Sequence, residues 1–175
     1  MKVIGLAGWS GAGKTTLLTR VIPLLLKGGL RVSVIKHAHH AFDVDIPGKD
    51  SWRHRASGAT EVLVSSTQRW ALMHELRGAG EPRLPELLAK MSRVDLVVIE
   101  GFKREPHRKI EVHRAANEKP WLFPDDPGVV GIVTDTAVET TLPSAHLDDI
   151  EAVAAMMLRS AIPVEDVLAK SEAEG

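Results

Sequence analysis

The sequence predicts an α/β fold, a mainly parallel β-sheet flanked by helices with an additional hairpin. Three observations lead there. Short apolar runs of strand length recur along the chain. Segments with apolar residues at helical spacing separate them. The first strand-to-helix junction is the glycine-rich run Gly8-Trp9-Ser10-Gly11-Ala12-Gly13-Lys14-Thr15. That run satisfies G-x-x-x-x-G-K-[ST], the phosphate-binding loop, whose required setting is strand, loop, helix. The fold is therefore that of a phosphate-loop NTPase, with ligands expected at the carboxyl ends of the strands.

Lys2–Ala7 is the strand before the loop, and Thr15–Lys27 carries Leu17, Leu18, Val21, Leu24 and Leu25 at helical spacing. Gly28-Gly29 stops that helix, and Arg31–Lys36 is a second strand. Residues 36–49 are polar and irregular, with Pro47-Gly48 as a turn. Asp50-Ser51 can cap a short helix through Ala56. Thr60–Ser65 and Gln68–Met73 are candidate strands of the hairpin. Leu84–Met91 reads as a helix and Asp95–Glu100 as a buried strand. Lys109–Arg114 alternates polar and apolar residues, which predicts a half-exposed strand. Val129–Val133 is another buried strand, and Asp148–Arg159 and Pro163–Lys170 are helices. A single domain is expected over residues 1–170, with 171–175 as a frayed tail.

The chemistry of the loop follows from its residue types. Glycines let the backbone turn tightly, so that amides from Gly11 to Lys14 face phosphate oxygens at a helix N-terminus. Ser10, Gly11, Ala12, Gly13, Lys14, Thr15 and Thr16 are the expected phosphate contacts. Lys14 should bridge the β- and γ-phosphates and Thr15 should ligate Mg²⁺. Such a site needs an acid at the end of a buried strand. Glu100 stands there, whereas Asp95 opens the same strand and belongs at the far end of the sheet. Lys14 and Glu100 are thus the candidate catalytic pair.

Formal net charge is −1 over 175 residues, which gives no global attraction to nucleic acid or anionic membrane. Four Trp, three Phe and no Tyr make a base-stacking platform an unsuitable reading. Cysteine is absent, so disulfides and thiolate metal sites are excluded, and a reducing cytoplasm is the expected location. The apolar runs are short of a membrane span.

After the second strand comes Lys36-His37-Ala38-His39-His40-Ala41-Phe42-Asp43-Val44-Asp45. Asp43 or Asp45 could complete a Mg²⁺ shell. The histidines fit either a phosphate-adjacent loop or a zinc or nickel site. Two basic clusters, Lys49/Arg53/His54/Arg55 and Lys103/Arg104/His107/Arg108/Lys109, suit a second phosphate-bearing ligand, an acidic partner or a solvated face. Thr134-Asp135 follows a buried strand, where GTPases place T-K-x-D, but no lysine separates the two. Asp135 is a candidate guanine acceptor or a turn cap. Rival functions are a small-molecule kinase and a metal-insertion GTPase.

Gly8–Thr16, Ile35–His40, Asp45–Arg55, Glu100–Lys103 and Lys109–Arg114 together resemble the MobB family of molybdopterin-guanine dinucleotide biosynthesis adaptor proteins, over residues 2 to about 135. The resemblance implies a GTP-binding homodimer with weak GTPase activity and Mg²⁺ dependence. It implies assistance to the molybdenum cofactor guanylyltransferase in attaching GMP to molybdopterin. Matched by residue, it puts nucleotide on the loop through Thr16, and Mg²⁺ on Thr15 and Glu100 with Asp45 as a further candidate. His37, Lys49, Arg53, Arg55 and Lys103 are left for a second ligand or partner.

Overall fold

The computed structural model describes residues 1–38, 42–103 and 105–172. Its elements, in chain order, are β1 (Lys2–Ala7), α1 (Lys14–Lys27), β2 (Val32–Lys36), α2 (Asp50–Ala56), β3 (Glu61–Ser65), β4 (Trp70–His74), α3 (Leu84–Ala89), β5 (Leu96–Glu100), β6 (Lys109–His113), a 3-10 turn (Ala115–Asn117), β7 (Val129–Thr134), β8 (Ser144–His146), α4 (Ile150–Ser160), β9 (Ile162–Pro163) and α5 (Val164–Glu172). Internal contacts group them into two compact units, Met1–His37 with Leu84–Gly175, and Ala38–Arg83.

The larger unit is built on a sheet ordered β2-β5-β1-β6-β7-β8, in which every neighbouring pair is parallel. β1 lies in the middle. On one side it pairs with β5 along its length, from Lys2↔Leu96 to Leu6↔Glu100. Its other edge is shared: antiparallel β9 takes Lys2 and Val3, and β6 takes Gly5 to Ala7. Side chains alternate between two covered faces. Ile4, Leu6, Leu96 and Val98 pack with Leu17, Leu18 and Val21 of α1 and Val153 and Met157 of α4. Val3, Val97 and Ile99 pack with Leu84 and Leu88 of α3 and Val167 of α5. Coverage on both faces is why these strands are continuous apolar runs.

β6 departs from the half-exposed strand its alternation predicts. All five of its residues are buried, with Glu111 at 0% and Lys109 at 2% exposure. The polar positions face the segment that follows. The Glu111 carboxylate accepts the amides of Leu122 and Phe123, each at 2.9 Å. Lys109 Nζ donates to Asp126 at 2.7 Å and to the Lys103 carbonyl at 2.9 Å. His113 stacks on Trp121 with ring centroids 3.7 Å apart. Loop backbone thus satisfies groups that solvent would otherwise have to reach. Burial of His107 and Lys109 also removes both from the solvated basic cluster; Arg104 lies outside the described residues.

Smaller differences are at ends. α3 stops two residues before Met91, while α5 runs on to Glu172. Residues 173–175 of the expected tail lie outside the described residues. Strands β8 and β9 have three and two residues, too short to carry a pattern.

The smaller unit contains α2 and the antiparallel pair β3–β4, the expected hairpin, in register from Glu61↔His74 to Ser65↔Trp70. Its helix buries no residue. Arg55 ties it together, donating to Asp43 at 2.6 Å, Asp45 at 2.7 Å and Glu75 at 2.6 Å. These bonds push its pKa further up, Asp45 first. Arg77 donates to the carbonyls of Arg55 and Ala59.

His107 generates a pH prediction. Its Nδ1 donates to the Glu105 carbonyl at 3.1 Å, while Nε2 is buried without a hydrogen-bond partner. Burial, aided by the charge of Lys109, lowers its pKa to about 4. Between that value and the unfolded value near 6.5, the folded chain binds fewer protons than the unfolded one. This contribution is therefore complete above the unfolded pKa and is lost as pH falls toward 4. Denaturant unfolding should show a His107-dependent decline of roughly 3 kcal/mol across that window. A His107→Leu variant should lack that part of the slope; an unchanged slope would mean that the folded state protonates His107 freely.

Candidate functional site

β1 leaves the sheet at Ala7, and the chain turns through Gly8–Gly13 before α1 begins at Lys14. Gly8 has φ +146°, and a Cβ there would run into the Val112 carbonyl of β6. Gly11, at φ +83°, would carry its Cβ 2.8 Å from Asn117 Oδ1. Asn117 in turn donates from Nδ2 to the Ser10 carbonyl at 2.8 Å. The loop is a close backbone approach to β6 and the 3-10 turn, and glycine makes it possible.

Lys14 Nζ donates to the carbonyls of Gly8 at 2.9 Å and Trp9 at 3.0 Å, so its ammonium lies over the loop. Thr15 Oγ1 donates to Glu100 Oε1 at 2.7 Å. Glu100 is buried at the end of β5, and Lys36 Nζ at the end of β2 stands 3.6 Å from the same oxygen. Parallel pairing aligns Leu6, Glu100 and Lys36, which brings these groups together. Asp95 sits at the opposite end of β5, accepting from the Arg31 amide at 2.8 Å.

Cations converge here. Lys103 Nζ stands 4.4 Å from the centre of the Trp9 ring, and the Trp9 indole donates to the Pro120 carbonyl at 2.8 Å. Burial lowers the Lys14 pKa, the Lys103 and Lys36 charges lower it further, and Glu100 opposes them. Burial also lowers that of Lys103. Three lysines against one carboxylate make a site whose electrostatics favour an anion. His37 is beside them, its ring 4.6 Å from that of Phe102 and its Cβ close to Gly101.

Farther along the same sheet edge, Asp135 follows β7. Its Oδ1 accepts the Ala115 amide at 2.8 Å, which caps the 3-10 turn, and Oδ2 lies 3.7 Å from Arg114 Nη1. Asp135 also lines a cavity of about 500 Å³ with Thr134, Thr136, Val138, Ser144 and His146.

The remaining sequence candidates belong to the smaller unit. Asp45 accepts from Arg55, which spends both groups on each other. Lys49 and Arg53 are exposed at and on α2, and Lys49 lines a groove of about 430 Å³ with Asp45, Ile46, Ser66 and Arg69. His39 and His40 lie outside the described residues. Among the described residues, no group of three His, Cys, Asp or Glu side chains could hold a metal ion.

The sequence reading gave no function to Arg114, Asn117 or the β8 residues. A signal for Arg114 existed: it directly follows a strand, and strand ends gather at the ligand edge. Asn117 and β8 had none, because a three-residue turn and a three-residue strand have no period.

Residues 3–135 match the family model described as "MobB: Molybdopterin guanine dinucleotide synthesis protein B". The chain is 41% identical over 155 residues to a molybdopterin-guanine dinucleotide biosynthesis adapter protein of Escherichia coli, covering 87% of this chain and 89% of that one. It is 43% identical over 140 residues to the protein of the same description in Haemophilus influenzae, covering 78% and 76%. A crystal structure of molybdopterin-guanine biosynthesis protein B superposes with a TM-score of 0.72 at 28% identity, covering 90% of this chain and 98% of the other.

Packing of the loop on β6 separates two glycines. Gly29→Ala, at φ +82° in open space, should cost about 1 kcal/mol from backbone strain alone. Gly8→Ala adds a collision with backbone and should cost roughly 3 kcal/mol or more. Chemical denaturation measures both; equal losses would show that the loop does not rest on β6.

Proposed function

The chain belongs to the MobB family of adapter proteins of molybdopterin guanine dinucleotide biosynthesis, and on that premise we propose that it binds GTP with Mg²⁺ on the loop Ser10–Thr16. We further infer slow hydrolysis of that GTP, in support of the guanylyltransferase that attaches GMP to molybdopterin.

The observation that carries the nucleotide site is the 2.7 Å bond between Thr15 and Glu100 under a loop crowned by Lys14. Hydroxyl and carboxylate oxygens are the hard donors Mg²⁺ prefers, and Mg²⁺ keeps most of its waters in such sites. The residues therefore fit the ion, Thr15 as a ligand and Glu100 directly or through water. When bound, the ion neutralises charge on the β- and γ-phosphates. Lys14 would leave the loop carbonyls for those phosphates, and amides from Gly11 onward would hold the rest. Glu100, the carboxylate facing the loop, is committed to Thr15 and Lys36. It is a poor general base in that role, which supports slow turnover.

Guanine selectivity is assigned to the cavity beyond the phosphates. There the carboxylate of Asp135 can accept from the base, with Oδ1 already holding Ala115. Lys103 over Trp9, with His37 nearby, offers charge for a second phosphate-bearing ligand such as molybdopterin. Lys49 and Arg53 offer a further basic surface for the partner. Arg55 would first have to leave its three carboxylates. A homodimer is supported by the apolar hairpin residues Leu63, Trp70 and Leu72, which are 60%, 66% and 46% exposed.

Calorimetric titration with GTP and ATP, with and without Mg²⁺, tests this function. GTP should bind more tightly than ATP, and Lys14→Ala should abolish tight binding in a folded chain. Glu100→Gln should reduce Mg²⁺ dependence more than affinity, and Asp95→Asn should do neither. Unchanged GTP affinity in folded Lys14→Ala would refute the site, and an ATP preference would point to a kinase.

A further inference from the structure

Arg114 is the residue that no function above has absorbed. It follows β6, and β6 pairs with β1 on one side and β7 on the other. This position delivers its guanidinium to the phosphate loop. A Cβ built on Gly13, the residue before Lys14, would lie 3.4 Å from Arg114 Nη2 and 3.8 Å from Nε. Its side chain is 42% exposed, and its ion pair to Asp135, the one it makes among the described residues, is long at 3.7 Å. The guanidinium makes no hydrogen bond among the described residues. A planar fork of five donors thus rests against the loop with its hydrogen-bonding capacity unspent.

Two other arginines show what a committed guanidinium looks like here. Arg55 makes short bonds to three carboxylates, and Arg20 bonds Asp148 at 2.8 Å. Held by a loose pair beside Gly13, Arg114 differs from both. Phosphate is the acceptor its geometry suits, since two parallel N–H groups match two phosphate oxygens.

We propose that Arg114 is a phosphate-contacting residue, supplied in cis from β6, that binds the nucleotide's phosphate chain alongside Lys14. This rests on the assignment of the loop as a nucleotide site. Arg114 stands between the phosphate loop and the cavity lined by Asp135. It would therefore meet the part of the chain nearer the nucleoside. It also places a cation next to Asp135, where the T-K-x-D lysine is missing.

The test titrates inorganic tripolyphosphate, GTP and ATP into the full chain as wild type, Arg114→Ala and Arg114→Lys, with folding checked by circular dichroism. Arg114→Ala should weaken tripolyphosphate and both nucleotides by a common factor of roughly ten to a hundred, leaving the GTP-to-ATP ratio unchanged. Arg114→Lys keeps the charge but not the fork, and should fall between. Tripolyphosphate affinity within twofold of wild type, with a collapsed GTP-to-ATP ratio, would show that Arg114 acts only by orienting Asp135 and would overturn the proposal. If Arg114→Ala fails to fold, Arg114→Lys decides: unchanged affinity overturns the contact, and a loss supports it. A wild type that holds tripolyphosphate but prefers no guanine nucleotide would refute the guanine assignment alone, and the tripolyphosphate ratio would still judge Arg114.

Discussion

Parallel pairing on both sides of β1 is the constraint on which the site depends. In a parallel ladder every strand ends at the same edge. Because β2, β5, β1, β6 and β7 run in one direction, Lys36, Glu100, the phosphate loop, Arg114 and Asp135 all emerge there. The register does more than direction alone. Leu6 opposite Glu100, and Lys36 opposite Glu100, bring the carboxylate level with the start of the loop, where Thr15 reaches it at 2.7 Å. A slip of one residue would turn the Glu100 side chain to the other face. β6 completes the arrangement as the floor on which Gly8 rests.

That edge is electrostatically unbalanced. Lys14, Lys36 and Lys103 interact across it, and Glu100 is the carboxylate that offsets them. Lys14 is partly desolvated and repelled by its neighbours, so its pKa is lowered. The loop carbonyls of Gly8 and Trp9 hold it meanwhile. An anion in the loop would offset both penalties, because it pairs with the ammonium and counters the other lysines. The electrostatics at this edge favour an anion over the empty fold.

Much of this was legible in the sequence because it rests on local signals. The loop motif fixed its own strand and helix, and the choice of Glu100 over Asp95 followed from strand direction once the sheet was taken as parallel. The chemistry at β6 was not legible. Glu111 and Lys109 read as solvent-facing, yet their partners, Lys103, Leu122, Phe123 and Asp126, lie outside β6 in stretches with no period of their own. For Arg114 the strand end was legible, and the contact was not. Its neighbour at the loop, Gly13, is distant in sequence and is brought close only by the β1–β6 pairing. Arg55 shows the converse: one member of a cluster that suited a phosphate-bearing ligand is engaged by carboxylates within its own unit.

The smaller unit explains why that expenditure is needed. Residues 38–83 are too few to build a core, and Val62 is the buried hydrophobic side chain that they contribute among the described residues. α2 has no buried face at all. With little apolar area to bury, the unit must be held by directional bonds. Arg55 meets this need by reaching the chain before α2 through Asp43 and Asp45 and the residue after β4 through Glu75. Arg77 then bonds the carbonyls that end and follow the helix. Removing the Arg55 guanidinium would leave three carboxylates facing one another, so its loss costs more than the bonds it makes. In this unit an arginine does the work that leucines do in the larger one, which leaves Lys49, just before α2, and Arg53, on it, clear of that duty.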